Sequence, residues 1–82
     1  MANGNSAAID HLIPGLNRYF NDHIETGGFL RSVLENDLRG ACARAADVGT
    51  RWALFELVTY IELMAPAECW GSPEKVKAWL SK

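Results

Sequence analysis

The sequence predicts an all-α fold: a compact bundle of about four helices, two longer central ones in a hairpin and shorter first and last ones. Three observations lead there. Apolar residues recur at spacings of three and four through most of the chain. No stretch of five or more residues alternates with period two, which removes a sheet. The breaks between periodic stretches carry glycine, proline and capping residues, where helices start and stop.

Residues 1–12, opening MANGNSAA, read as a flexible polar tail, and 13–82 as one helical domain. Pro14 suits the first turn of a helix, where the amide that proline lacks has no partner anyway. Leu16, Tyr19 or Phe20, and His23 continue that helix to about Ile24. Thr26-Gly27-Gly28 breaks it: either glycine can take the left-handed conformation that ends a helix, and Thr26 or a glycine amide can open the next.

A second helix is expected over about 29–46. Leu30, Leu34, Leu38, Ala41 and Ala45 mark its apolar face, and Arg31, Glu35 and Arg39 form a charged stripe of i,i+4 neighbours beside it. Ser32, Asn36, Gly40 and Ala43 on the remaining side are small or amide-bearing, so a helix or a ligand can approach closely there. Asp47 or Thr50 then caps a third helix over about 50–65, with Leu54, Leu57, Val58, Ile61 and Met64 on its main face. Trp52, Phe55, Thr59 and Leu63 form a second apolar stripe on the other side. Pro66 stops this helix, and Ser72-Pro73 opens a last one that turns Val76, Trp79 and Leu80 inward.

A chain of 82 residues buries only about 60–65% of its unfolded surface, so its core needs support. Two cysteines, Cys42 and Cys69, make no disulfide scaffold, and His11 and His23 stand too far apart for a metal pair. No metal and no cofactor are expected. Self-association is the remaining support, and the Trp52, Phe55, Thr59, Leu63 stripe is the candidate interface with a second copy or another partner. The net charge of −2, without a basic stripe, argues against duplex nucleic acid as a partner. Glu56, Glu62 and Pro66 interrupt the longest apolar runs, so no membrane partner is expected. The N-terminal segment lacks a positive start and an apolar core, so no leader is read there and a cytoplasmic location is expected.

Four constellations bear on chemistry. In CWGSPEKVKAWL, Ser72 and Pro73 carry an N-cap signature, and Glu74 favours the positive end of the helix dipole. Beside Trp70 and Gly71 the same helix start can hold a phosphate or carboxylate, against competition from Glu74. Thr26-Gly27-Gly28 reads as a tight turn or as a second anion contact, though it lacks P-loop spacing. Asp37 and Arg44 share a stripe at the edge of the apolar face, where a partly buried network with Arg51 or Tyr60 is expected. Neither histidine forms a recognisable signature with Cys42 or Cys69, and Glu35, Asp37, Glu56 and Glu62 are not paired for acid–base work. No catalytic residue is assigned, and no enzyme is expected.

Two segments, IPGLNRYFNDHIETGGFLRSVLENDLRGACARAAD and PAECWGSPEKVKAWL, carry a family likeness. The chain resembles a group of very small bacteriophage and prophage proteins with a similar GGFL…NDL…RAD segment followed by P…CWGS…V…WL. The likeness runs from Ile13 over nearly the whole chain; it lapses at residues 48–52, where the group more usually has an asparagine-bearing turn. The resemblance implies an origin and a compact helical accessory protein, without an assigned activity. Two functions follow as expectations. In one, a small homo-oligomer sequesters a small anionic, nucleotide-type ligand to counter host defence, through Thr26, Gly27, Gly28, Asn36, Arg44, Trp70 and Ser72. In the other, the domain docks directly on a host defence or transcription protein, with Trp52 and Phe55 as anchors.

Overall fold

A computed structural model describes residues 9–45 and 47–82. It folds them into six α-helices: α1 (Ile13–Asp22), α2 (Gly28–Leu34), α3 (Leu38–Arg44), α4 (Val48–Trp52), α5 (Leu54–Met64) and α6 (Pro73–Leu80). Short 3-10 turns precede α1 at Asp10–Leu12 and α6 at Ala67–Cys69, and no strand occurs among the described residues. The all-α expectation is met. The count of about four is only roughly matched by six, because each long central helix is divided.

α1 starts with Pro14 in its first turn and buries Leu16, Tyr19 and Phe20. His23 ends it by taking a left-handed φ of 58°. Its amide returns to the Tyr19 carbonyl at 3.2 Å, and the Ile24 amide returns to Arg18 at 3.4 Å. Neither glycine ends this helix, contrary to the expectation; Gly27 is extended and stands at the N-cap of α2. Of the expected tail, residues 1–8 lie outside the described residues, whereas Ile9 is buried in the core and residues 10–12 form the first turn.

The helix expected over 29–46 breaks at Asn36 and Asp37. Asn36 takes a φ of 66°, its amide returns to Val33 at 3.0 Å, and the Asp37 amide returns to Ser32 at 2.8 Å. Those two bonds are the pattern of a Schellman motif, which satisfies the last carbonyls of α2. Asp37 Oδ1 then accepts from the Gly40 amide at 3.0 Å and starts α3. The apolar face divides with the helix: Leu30, Leu34 and Ala41 are buried, but Leu38 is 68% exposed. Ala46, the expected last residue, lies outside the described residues. Arg31 pairs with Glu35 at 2.7 Å as the stripe predicts, and with Glu25 at 2.7 Å as well.

Asp47 caps α4, its Oδ1 accepting from the Thr50 amide at 2.8 Å. Those contacts hold its carboxyl below the usual carboxylate range. Ala53, buried near φ −87°, ψ 2°, interrupts the helix expected over 50–65 and separates α4 from α5. Leu57 and Ile61 of α5 are buried, Leu54 and Val58 pack against the core, and Met64 is exposed. Extended Ala65 before Pro66 ends α5 as expected.

The C-terminal unit is fastened to the rest by three bonds of 2.7 Å. Tyr19 Oη donates to the Cys69 carbonyl, Trp79 Nε1 donates to the Tyr19 carbonyl, and the Gly71 amide donates to the Leu34 carbonyl. Among the described residues, Leu16, Tyr19, Leu34, Leu57, Ile61, Cys69 and Val76 are the largest fully buried side chains.

Candidate functional site

α5 carries apolar residues around most of its circumference, and this small core covers only one side of it. The covered side holds Leu57 and Ile61. The uncovered side carries Phe55, Thr59 and Leu63 of the second apolar stripe of the sequence, Phe55 84% and Leu63 77% exposed with Thr59 exposed between them. The stripe's remaining residue, Trp52, is 83% exposed at the end of α4. The Thr59 hydroxyl is satisfied within its own helix, donating to the Phe55 carbonyl at 2.8 Å. Beside this stripe runs a groove of about 380 Å³, lined by Ile9, Asp10 and Ile13 on one side and Phe55, Glu56, Thr59, Tyr60 and Leu63 on the other.

The groove is apolar with an acidic margin. Among the described residues, Asp10 and Glu56 are the only charged ones lining it, and α5 itself carries Glu56 and Glu62 with no base. Among the described residues, neither Asp10 nor Glu56 forms an ion pair; both ion pairs there belong to Arg31. Composition alone assigns Ile9 and Asp10 to the polar tail. The signal that places Ile9 in the fold is its spacing, since Ile9, Ile13, Leu16 and Phe20 follow steps of four, three and four across Pro14.

The seven residues expected to hold an anion fall into two groups. Thr26, Gly27 and Gly28 lead into α2, and Arg44 lies over Gly28, where an added Cβ would stand 3.4 Å from Arg44 Cδ. Arg44 Nη1 donates to Ser32 Oγ and to the Gly40 carbonyl, both at 3.3 Å, and the Thr26 hydroxyl donates to the Gly27 carbonyl at 3.1 Å. Asn36, Trp70 and Ser72 belong to the other end of α2, where Gly71 meets the Leu34 carbonyl. A seven-residue helix, about 10 Å long, separates the two groups.

Most of the second group serves the backbone. Asn36 turns the chain out of α2, Gly71 takes a φ of 118°, and Ser72 Oγ accepts from the Lys75 amide at 3.2 Å. Trp70 is half-buried and packs against the core. The Ser72 cap thus takes one amide of the α6 start, and Pro73 has none to offer.

The network expected around Asp37 and Arg44 does not form. Asp37 serves as the cap of α3, and Arg51 Nε donates instead to the Cys42 carbonyl at 2.9 Å. Asp37 and Arg44 both flank Gly40, where a Cβ would overlap the Asp37 carboxylate and stand 2.7 Å from Arg44 Nη1. That crowding accounts for a glycine inside a helix.

Cys69 is a buried free thiol, and burial, with the nearby Glu68 charge, pushes it up to about 11. It is therefore held as a thiol near neutral pH, unlike an activated nucleophile. Cys42 is free and half-buried, and no group of three metal-ligating side chains occurs among the described residues. No helix among them is long and apolar enough to cross a membrane. Comparison of the chain with protein-family models, with curated proteins and with solved structures finds no match in any of the three.

Proposed function

We propose that the chain is a non-enzymatic accessory protein, of the phage-encoded kind its two motif segments resemble, that docks on another protein through the outer face of α5. The observation that carries this reading is the pair Phe55 and Leu63, both more than three-quarters exposed on a helix that buries Leu57 and Ile61, with Trp52 equally exposed at the end of the preceding α4. Aromatic side chains bring about 150–250 Å² each when buried. Phe55 and Leu63, two turns apart on the same side of α5, leave apolar surface open that a partner would cover. Sequestration of a small anion draws less support, because its contact residues divide between the two ends of α2 and several are spent on turns and caps.

The test uses the purified chain as bait in a bacterial host lysate, beside Arg44→Ala and a Phe55→Asp/Leu63→Asp double variant. One host protein is expected on the wild type and on Arg44→Ala, and none on the double variant. The complex should re-form from the two purified components. Capture of nothing, together with a nucleotide-dependent rise in melting temperature that Arg44→Ala abolishes, contradicts docking and restores the anion reading.

A further inference from the structure

We infer that the partner segment is a basic amphipathic helix, seated along α5 with its apolar stripe on Phe55 and Leu63 and its lysines or arginines beside Asp10 and Glu56. This rests on the docking reading above and specifies the occupant of the same face.

Shape is the first argument. α5 has 11 residues and so runs about 16 Å, three turns that another helix can lie against. Phe55, Thr59 and Leu63 recur at steps of four, giving a large, a small and a large residue along one ridge. Two bulky anchors around a shallow point suit a helix presenting apolar residues at i, i+3 or i+4, and i+7. The adjoining groove of about 380 Å³ extends that seat toward Ile9 and Ile13.

Charge selects the occupant. Among the described residues, the groove lining and α5 hold Asp10, Glu56 and Glu62 and no lysine, arginine or histidine. Asp10 and Glu56 are unpaired among the described residues, so an incoming cation displaces no existing ion pair. A second copy of this chain would bring the same carboxylates to the same rim, where like charges oppose association. An acidic segment meets the same repulsion. A segment combining an apolar stripe with basic flanks satisfies both halves of the surface.

Two synthetic helical peptides of about 16 residues, identical in a leucine stripe at i, i+3 or i+4 and i+7, probe this directly. One has lysine at every flanking position and its twin has glutamate. Titrated with the full chain by fluorescence anisotropy at low salt, the lysine peptide is expected to bind at least about fivefold more tightly, with the ratio shrinking as salt rises. Asp10→Asn/Glu56→Gln should reduce that ratio, and Phe55→Ala should weaken both peptides. Twins that bind equally, with both weakened by Phe55→Ala, overturn the basic-helix inference and leave docking through α5 standing. Binding indifferent to Phe55→Ala, absence of binding, or a dimer in sedimentation that Phe55→Asp dissolves overturns both.

Discussion

Trp79 Nε1 donates to the Tyr19 carbonyl at 2.7 Å, joining residues 60 positions apart in the chain. The same carbonyl also accepts the His23 amide at 3.2 Å, and the His23 ring packs on the Trp79 ring at 4.4 Å. His23 Nδ1 lies 2.9 Å from the Trp79 carbonyl. The left-handed turn that ends α1 is therefore built against α6. Trp79→Phe keeps most of the apolar burial and removes the N–H donor. It should cost about 1–2 kcal/mol in urea denaturation, and Tyr19→Phe, which leaves the buried Cys69 carbonyl unpaired, should cost a similar amount. No change in either variant would remove this latch from the stability of the fold.

Alkaline pH should weaken the fold through two residues of this region, Tyr19 and Cys69. Burial raises the Cys69 thiol from 9.0 to about 11 and pushes the Tyr19 hydroxyl well above its ordinary value. In both cases the folded state holds its proton more tightly than the unfolded state does. The contribution of Cys69 is thus fully present below about pH 9 and is lost as pH rises through about 11. Denaturation midpoints measured between pH 8 and 11 should fall, and the fall should be smaller in Cys69→Ala. An identical pH profile in that variant would contradict the assignment.

The turn residues give a sign-dependent test. Asn36 sits at φ 66° and Gly71 at φ 118°. Asn36→Gly should leave stability unchanged within a few tenths of a kcal/mol or raise it, whereas Asn36→Val should cost about 1–2 kcal/mol. Gly71→Ala should also destabilise, although an added Cβ meets nothing closer than 3.8 Å. The cost there lies in the backbone, and thermal melts of the three variants would display it.

These turns also mark how far the sequence can be read. Caps that depend on neighbouring residues are legible: Asp47 at α4, and Ser72 with Pro73 at α6, stand where their side chains predict. The division of the second helix is not, because Leu30, Leu34, Leu38 and Ala41 keep helical spacing across the break and periodicity carries no record of φ. The Asn36-Asp37 pair is the available signal, since asparagine tolerates the left-handed turn and aspartate caps the next helix. The exposed stripe on α5 is legible from its pattern. Its groove is harder to read, because composition leaves Ile9 and Asp10 with the tail and only the spacing of Ile9, Ile13, Leu16 and Phe20 brings them into the fold. The Tyr19–Trp79 latch depends on tertiary placement that no local pattern encodes.

Docking through α5 predicts that affinity and stability separate at Phe55. The side chain is 84% exposed, so Phe55→Ala should change stability by no more than about 0.5 kcal/mol. The most direct measurement is the Kd of the reconstituted host-protein complex for wild type and Phe55→Ala, with melting curves recorded on the same samples. A loss of at least about tenfold in affinity at unchanged melting temperature is the predicted result. Equal affinity for the two proteins would contradict α5 as the docking face.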